Sequence, residues 1–307
     1  MNIKLTGDLA QSTLFSGKTQ SLRAIIQSGD LSFLMEAHDA LSAMIAERSG
    51  FAGIWASGLS IATALGLRDA NEASWSQVVD VIERMSDATT IPILVDGDSG
   101  FGNFNNARLV ARKLCERGAA GLCLEDKQFP KMNSFVGDRH PLADIEEFCG
   151  RLAAAKHGAA DPDFVIVARI EALIAGYGQD EARTRAMAYA EAGADAILIH
   201  SRRPTAEEIL SFAKAWDGRC PIVIVPTKYY STPVSAYREA GISTVIWANH
   251  NMRAAAAAMF ALCERVQRDE SVAGVEQEIA PLDSIFDLLN YAELSEAERR
   301  YLPARSE

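Results

Sequence analysis

Short apolar runs alternate along the chain with longer segments in which apolar residues recur every three or four positions. A short apolar run bounded by turn residues predicts a buried strand of a parallel sheet, and the longer periodicity predicts an amphipathic helix. Strands are predicted at residues 33–38, 51–55, 91–95, 119–124, 164–168, 196–199, 221–225 and 243–247. Helices are predicted at residues 40–48, 61–65, 75–85, 105–117, 142–156, 180–192, 206–215, 234–239 and 252–269.

Eight strand–helix units in succession favour a (β/α)8 barrel of the TIM type, which we expect to form one domain over residues 1–307. A doubly wound open sheet is the competing fold, but no glycine-rich phosphate-binding motif follows the first strand. A helix at about residues 18–28 precedes the barrel, and an apolar helix at about residues 282–290 follows it. Since eight helices already cover a barrel, we expect the last helix to pack on a neighbouring subunit.

Charge and cysteine content narrow the class of protein. The formal net charge of −11 is spread along 307 residues, which argues against a nucleic-acid or membrane-surface partner. No apolar run approaches the roughly 20 residues that span a bilayer. The five cysteines include no CxxC pair, so neither a disulfide framework nor a zinc knuckle is indicated, and a cytoplasmic location fits best.

Acidic residues follow two neighbouring predicted strands. Asp96 and Asp98 come after the third strand, and Glu125 and Asp126 come after the fourth. The carboxyl ends of barrel strands meet at the rim where the active sites of such folds lie. Three carboxylates gathered there, from Asp96, Asp98 and Glu125, need a cation, and an all-oxygen set favours Mg²⁺, with Mn²⁺ as a substitute, over zinc. The alternative interpretation is a surface turn with solvated charges.

Groups suited to an anion follow other strands. Arg169 comes after the fifth strand and carries a guanidinium fork that matches carboxylate or phosphate oxygens. His200 follows the sixth strand and can donate a hydrogen bond. The Ser57-Gly58-Leu59 backbone after the second strand offers amide groups beside a small residue. A metal with these groups describes a small substrate that bears carboxylate and phosphoryl groups.

Long motifs at these strand ends resemble the phosphoenolpyruvate mutase family of the isocitrate lyase superfamily, and the likeness covers nearly all of residues 15–290. The motifs are Gly53-Ile-Trp-Ala-Ser-Gly-Leu59, Asp69-Ala-Asn-Glu-Ala-Ser-Trp75, Val95-Asp-Gly-Asp-Ser-Gly-Phe-Gly-Asn-Phe-Asn-Asn106, Glu125-Asp-Lys-Gln-Phe-Pro-Lys-Met-Asn-Ser134, Asp163-Phe-Val-Ile-Val-Ala-Arg169, Ala194-Asp-Ala-Ile-Leu-Ile-His-Ser201, Val225-Pro-Thr-Lys-Tyr-Tyr-Ser-Thr-Pro233 and Trp247-Ala-Asn-His-Asn251. The resemblance implies a Mg²⁺-dependent barrel whose last helix is exchanged between subunits of a homotetramer, a dimer of dimers.

The resemblance also implies a role for each site residue. Asp96 is expected to bind Mg²⁺ directly, with its waters held by Asp69, Asp98 and Glu125. The pyruvyl part of the substrate is expected to lie against Trp55, Ser57, Gly58 and Leu59. The phosphoryl group is expected at Arg169 and His200. A loop at residues 127–140 is expected to close over the substrate with Lys131, Asn133 and Ser134.

The implied activity is the interconversion of phosphoenolpyruvate and phosphonopyruvate in phosphonate biosynthesis, and three alternatives stay open. Phosphonopyruvate hydrolase shares nearly every motif but resembles Lys-x-Thr-Ser where this chain has Lys131-Met-Asn-Ser134, so Asn133 favours the mutase. Carbon–carbon lyases of the superfamily carry a cysteine motif after the fourth-strand acids, whereas residues 127–134 contain no cysteine. A barrel without activity would not need the charged groups at the strand ends, although fold alone never establishes activity.

Overall fold

The computed structural model describes residues 7–137 and 140–303, with only the backbone described for residues 7–16. The predicted single domain over residues 1–307 and the predicted loop at residues 127–140 therefore extend in part outside the described residues. Contact density divides the chain into two compact units, one up to Met252 and one from Arg253. The single-domain organisation stays a prediction.

The first unit is a closed barrel of eight parallel strands, each paired with its sequence neighbour and the last paired with the first. This confirms the predicted (β/α)8 fold. The strands are β1 Ser32–Ala37, β2 Gly53–Ala56, β3 Ile93–Asp96, β4 Gly121–Glu125, β5 Val165–Ile170, β6 Ala196–Ile199, β7 Ile222–Ile224 and β8 Thr244–Trp247.

Helices alternate with the strands and agree with the predicted positions to within a few residues. They are α1 Gly7–Gln27, α2 Ala40–Arg48, α3 Gly58–Ala64, α4 Trp75–Ala88, α5 Phe104–Glu116, α6 Ile145–Gly158, α7 Gly178–Glu191, α8 Glu207–Trp216, α9 Val234–Glu239, α10 His250–Asp269, α11 Leu282–Leu288 and α12 Tyr291–Tyr301.

Three helices differ from the prediction. The first begins at Gly7 rather than near residue 18, so the segment before residue 18, which looked irregular, is helical from there. The sixth begins at Ile145 rather than 142, because the Asp144 carboxylate caps it by accepting hydrogen bonds from the amides of Glu146 and Glu147. Helix α12 was missed because charged residues dominate its segment, although Tyr291, Leu294 and Tyr301 recur at helical spacing.

Two apolar layers enclose the strands. Alternate strand residues point to the barrel axis, where Leu94, Cys123 and Leu198 pack with Leu22 and Ile26 of α1. The other strand residues form a second layer against the surrounding helices. Because both faces are covered, the strands read as continuous apolar runs, which is why periodicity located them well.

The second unit contains most of α10 together with α11 and α12. Its described contacts include the ring pair of Phe286 and Tyr291, whose centroids are 5.0 Å apart, and an ion pair of 2.8 Å between Arg265 and Glu278. Within residues 250–301, no residue of these three helices is buried. Among the described helices of the whole chain, none is long and apolar enough to cross a membrane.

Candidate active site

Strand alternation places polar side chains at one rim of the barrel. The inward-facing apolar residues include Trp55 on β2, Leu94 on β3, Cys123 on β4, Val167 on β5 and Leu198 on β6. Because successive side chains alternate between faces, the residue two positions later faces the same way. These next inward positions are Ser57, Asp96, Glu125, Arg169 and His200.

A cavity opens at this rim. Ten of the thirteen predicted site residues line it: Trp55, Ser57, Leu59, Asp69, Asp96, Lys131, Asn133, Ser134, Arg169 and His200. Gly58 and Asp98 line a smaller adjoining recess that shares Asp69 and Asp96 with the cavity. Glu125 lines neither space, but it is buried and lies 3.5 Å from Arg169 through Oε2 and Nη2. The structure thus brings all thirteen residues to one place.

Residues 127–137, here named the lid, lie over one side of the cavity. The Lys131 ammonium is 2.5 Å from Asp69 Oδ1, and the Asn133 amide donates to Asp69 Oδ2 at 2.5 Å. The Lys131 backbone amide donates to the side chain of Asn71 at 2.6 Å. Lys131 and Ser134 are buried as a result. The lid is therefore closed, with Asp69 and Asn71 as its anchors.

The lid also reaches the opposite wall of the cavity. Its Ser134 hydroxyl donates to Glu171 Oε2 at 2.6 Å and accepts from Arg169 Nη2 at 3.2 Å. The buried Lys127 ammonium donates to Ser134 Oγ at 2.6 Å and to the Met132 carbonyl at 2.9 Å. The two walls of the cavity are joined through these lid residues.

Arg169 and His200 form the anion-binding wall. Glu171 Oε1 accepts from Arg169 Nε at 2.6 Å and from His200 Nδ1 at 2.7 Å. Burial alone raises the pKa of the Glu171 carboxyl, but the charges of Arg169 and Lys127 and the hydrogen bond from His200 outweigh it and lower the pKa well below its usual value. Glu171 is thus an anion that holds both side chains in place.

The protonation state of His200 follows from the same contacts. Burial lowers the pKa of His200, Glu171 opposes that shift, and Arg169 adds to it, so the ring is neutral near pH 7. An ionised Glu171 can only accept, so we assign the ring proton to Nδ1. The neutral ring therefore offers Nε2 as an acceptor, whereas the sequence suggested a donor.

Asp96 and Asp98 form the negatively charged wall. Strand alternation would make two acids that are two residues apart project the same way, but β3 ends at Asp96 and Asp98 has φ +50°. A turn brings them together instead. A Cβ added to Gly58 would lie 3.1 Å from Asp98 Oδ1 and 3.2 Å from Asp96 Oδ2, so glycine allows helix α3 to approach both carboxylates.

The acids crowd one another. Burial raises the pKa of Asp98 to about 7, and Asp96, Asp69 and Glu125 add to this shift against the opposing charge of Lys131. The Lys131 ammonium lies 2.9 Å from Asp98 Oδ1. Among the described residues, Glu125 Oε1 is a buried oxygen that accepts no hydrogen bond, and Asp98 Oδ1 has only the Lys131 ammonium as its partner. One lysine thus leaves part of the negative charge without a partner.

These residues fit a divalent cation held partly through water. No three acidic, histidine or cysteine side chains of residues 7–137 and 140–303 converge closely enough to form a ready-made metal cluster. The donors are all carboxylate oxygens, which suits a hard cation that keeps several of its waters. Glu125 Oε1, which accepts no hydrogen bond, is where such a water would find an acceptor.

Asp126, next to Glu125, faces away from the cavity. Its carboxylate accepts from Tyr189 at 2.8 Å, from Arg185 at 3.1 Å and from the backbone amide of Glu171 at 2.8 Å. Burial raises the pKa of Asp126 to about 6. It is a buried structural acid that supports the cavity wall, and it does not touch the cavity.

Sequence reasoning missed several residues of the site. Glu171 could have been predicted from the sequence. It lies directly after a buried strand and two residues beyond Arg169, and an acid at a strand end is the pattern that selected Glu125. Thr227 lines the cavity at the end of β7 and is likewise a polar residue at a strand end. Asn71 has a left-handed backbone with φ +57°, and the Phe135 ring lies edge-on to the His200 ring with centroids 5.6 Å apart. No sequence pattern predicts that these two residues belong to the site.

Comparisons with known proteins agree with this geometry. A family model described as phosphoenolpyruvate phosphomutase matches residues 22–267. A phosphoenolpyruvate phosphomutase of Tetrahymena pyriformis is 53% identical over 286 residues, which cover 93% of this chain and 95% of that protein.

Two solved structures are similar over 93% of this chain and 99% of their own, each at 41% identity. Phosphoenolpyruvate phosphomutase from Streptomyces platensis subsp. rosaceus superposes with a TM-score of 0.91. A phosphonopyruvate hydrolase in complex with oxalate and Mg²⁺ superposes with a TM-score of 0.88. From the family model, the level of identity and the shared fold, the chain belongs to the phosphoenolpyruvate phosphomutase family.

Proposed function

We propose that this protein interconverts phosphoenolpyruvate and phosphonopyruvate by moving a phosphoryl group between two atoms of one pyruvate unit. The observation that carries the proposal is the closed lid, whose Lys131 and Asn133 both bind Asp69 opposite the wall formed by Arg169 and His200. A closed cavity with an anion-binding wall suits a phosphoryl transfer from which water must be excluded.

The reaction has a simple balance. The carbon–phosphorus bond of phosphonopyruvate breaks, and its electron pair stays on the pyruvate unit as an enolate. The enolate oxygen then attacks phosphorus and gives phosphoenolpyruvate, without gain or loss of water. Such phosphoryl groups pass through a loose transition state, so positioning and charge stabilisation supply most of the catalysis.

Arg169 and His200 would hold the phosphoryl group during the transfer. Arg169 is fixed by Glu171 through Nε and by Ser134 through Nη2, which leaves Nη1 for phosphoryl oxygens. The neutral His200 ring would accept a hydrogen bond through Nε2 from a singly protonated phosphoryl oxygen. Asn133, on the lid, would contribute a further contact while the group is between its two positions.

The pyruvyl part would lie at the negative wall. Trp55 forms an apolar surface there, and Ser57 caps the helix that begins at Gly58, so the first amides of that helix point towards the cavity end. The Gly58 and Leu59 amides would stabilise developing negative charge on the enolate oxygen.

Closure of the lid determines whether water can compete with the enolate for the phosphoryl group. Lys131, Asn133 and Ser134 are drawn over the cavity by bonds to Asp69 and Glu171. Water that entered during the transfer would capture the phosphoryl group as phosphate. We therefore assign Lys131, Asn133 and Ser134 the retention of that group, and Asp69 the anchoring of the lid.

We propose Mg²⁺ as the cofactor, with Mn²⁺ as a substitute. Asp96 would hold it directly, and Asp98, Glu125 and Asp69 would hold its waters. The all-oxygen donor set and the unpartnered Oε1 of Glu125 support this, as does the Mg²⁺ in the structure of the related hydrolase. When bound, the cation would supply Lewis-acid stabilisation of the enolate.

We further propose a homotetramer, a dimer of dimers, in which the C-terminal helices pack on a neighbouring copy. Within the C-terminal unit that begins at Arg253, Leu282, Leu289 and Leu294 are each at least half exposed. Apolar side chains in this number are typical of a surface that is covered in the assembly. A monomeric mass from light scattering would contradict this.

Hydrolysis of phosphonopyruvate is the second candidate activity, because one related structure is a phosphonopyruvate hydrolase. Asn133 supports the mutase, since its amide reaches Asp69 and holds the lid down. A carbon–carbon lyase is disfavoured because the lid carries no cysteine to act as an acid.

The proposal is tested by incubating the protein with phosphonopyruvate and Mg²⁺ and assaying two products in parallel. Pyruvate kinase with ADP detects phosphoenolpyruvate, and a molybdate assay detects phosphate. Phosphoenolpyruvate without phosphate is the expected result. Phosphate with equivalent pyruvate would make the protein a hydrolase.

A further inference from the structure

Glu171 links two parts of the site that the reaction needs at the same moment. It lies directly beyond β5 and is completely buried. One oxygen, Oε1, accepts from Arg169 at 2.6 Å and from His200 at 2.7 Å. The other oxygen, Oε2, accepts from Ser134 of the lid at 2.6 Å and lies 3.3 Å from the Lys127 ammonium. One carboxylate therefore faces the phosphoryl-binding pair on one side and the lid on the other.

The backbone of Glu171 is held independently of the lid. Its amide donates to Asp126 Oδ1 at 2.8 Å, and Asp126 is itself fixed by Tyr189 at 2.8 Å and Arg185 at 3.1 Å. Only the carboxylate of Glu171 can therefore respond when the lid moves. The response is confined to a rotation that alters both of its oxygens.

Lid opening would disturb that carboxylate strongly. Withdrawing the Ser134 hydroxyl removes a 2.6 Å hydrogen bond from a buried anion and a 3.2 Å contact from Arg169. Lys127 loses its bonds to Ser134 and Met132 at the same time. In a hydrogen-bond network each lost bond is felt by its neighbours because linked hydrogen bonds polarise one another. The orientation of Arg169 and His200 therefore depends on the lid through Glu171.

We propose that Glu171 is a positioning residue that couples lid closure to the alignment of Arg169 and His200. The inference rests on the proposed function and deepens it. The phosphoryl group is gripped fully only when Ser134 has arrived, so the carbon–phosphorus bond is not broken while water still has access.

A double-mutant cycle tests the coupling. We expect Glu171→Gln and Ser134→Ala each to lower kcat by about 10- to 100-fold, as is usual for residues that orient a catalytic group, with a smaller change in KM. Because the two side chains act as one unit, the double variant should lose no more than the worse single variant. Losses that multiply in the double variant would overturn the proposal.

A second readout does not depend on turnover. Trypsin cleaves after Lys127 and Lys131 only when the lid is open, since both lysines are buried in the closed arrangement. Oxalate with Mg²⁺ should slow this cleavage in the wild-type protein. In Glu171→Gln we expect at least tenfold less protection. Protection equal to that of the wild type would overturn the proposal. Should that variant fail to fold, Glu171→Asp, which keeps the charge and shortens the reach, takes its place with the same expected loss.

Glu36 provides a matched control. It is also a completely buried glutamate at the end of a barrel strand, and it accepts from His38 Nδ1 at 2.7 Å, but it does not contact the lid. Glu36→Gln should keep wild-type kcat and oxalate protection. An equal loss in Glu36→Gln would mean that any lost buried charge suffices, and would overturn the coupling. Failure of the wild type to form phosphoenolpyruvate would instead overturn the proposed function, because oxalate protection is measured without turnover.

Discussion

Replacing Asn133 by threonine removes the contact between Asn133 and Asp69, by which the closed lid excludes water from the proposed mutase reaction. The Asn133 amide donates to Asp69 Oδ2 at 2.5 Å, and its carbonyl accepts from the Phe135 amide at 2.9 Å. A threonine hydroxyl can keep the turn with residue 135 but is too short to reach Asp69. The substitution therefore removes one hydrogen bond to a carboxylate and changes little else.

The size of the effect follows from that single bond. A hydrogen bond to a charged group contributes about 1.5–3 kcal/mol. Since 1.36 kcal/mol corresponds to a factor of ten, the ratio of closed to open lid should fall by about 10- to 150-fold. We expect kcat for phosphoenolpyruvate formation to fall within this range and phosphate to appear as a side product.

The assay is phosphorus NMR of product mixtures from phosphonopyruvate and Mg²⁺, which resolves phosphoenolpyruvate from phosphate. Met132→Thr is the matched control, because its side chain is 45% exposed on the same lid and makes no contact with Asp69 in the described structure. It should keep the wild-type product ratio. Wild-type kcat with no added phosphate from Asn133→Thr would refute the reasoning.

Three further predictions concern the acidic wall. Asp96→Ala should abolish turnover and also the Mg²⁺-dependent rise in melting temperature that oxalate produces in the wild type; a retained rise would contradict the metal assignment. Gly58→Ala should lower the affinity for Mg²⁺, because its new methyl group would press on Asp96 and Asp98 at 3.1–3.2 Å, and unchanged binding in calorimetry would count against that approach. In metal-free protein, the pKa of Asp98 is raised from 3.8 to about 7, so the folded state binds the extra proton and stability should fall as pH rises from about 4 to about 7. Asp98→Asn should remove that part of the slope in melting curves, and an unchanged slope would assign it to other groups.

The barrel could be predicted from the sequence because each strand is buried on both faces and each helix on one. Continuous apolar runs such as residues 164–168 therefore stand out against the amphipathic helices. Helix ends were less accurate, since a cap such as Asp144 acts through local backbone geometry that hydrophobic periodicity does not record. Helix α12 was missed because charged residues dominate its segment and hide the helical spacing of its few apolar residues.

The polar residues of the rim were predictable for a related reason. Asp96, Glu125, Arg169 and His200 each follow an inward-facing apolar residue by two positions. Their partners across the cavity were not predictable, because they meet only after the barrel closes. Asp69 and Lys131 bind one another although 62 positions separate them in the chain.

The pair Glu125 and Asp126 shows most clearly what the sequence alone cannot predict about the site. The sequence presents two adjacent acids at a strand end without a sign of which one faces the cavity. Alternation turns Glu125 inward, while Asp126 meets Arg185 and Tyr189 on α7, which lie 59 and 63 positions later. Only the fold separates the site residue from the structural one.

The central claim is that the phosphoryl group passes within one molecule inside a closed site. The most direct test is phosphorus NMR of the reaction with phosphonopyruvate and Mg²⁺ in water enriched in oxygen-18. The account predicts phosphoenolpyruvate as the new signal, with no oxygen-18 in its phosphoryl group. Phosphate carrying one oxygen-18 as the main product would show that water captures the phosphoryl group, and would contradict the account.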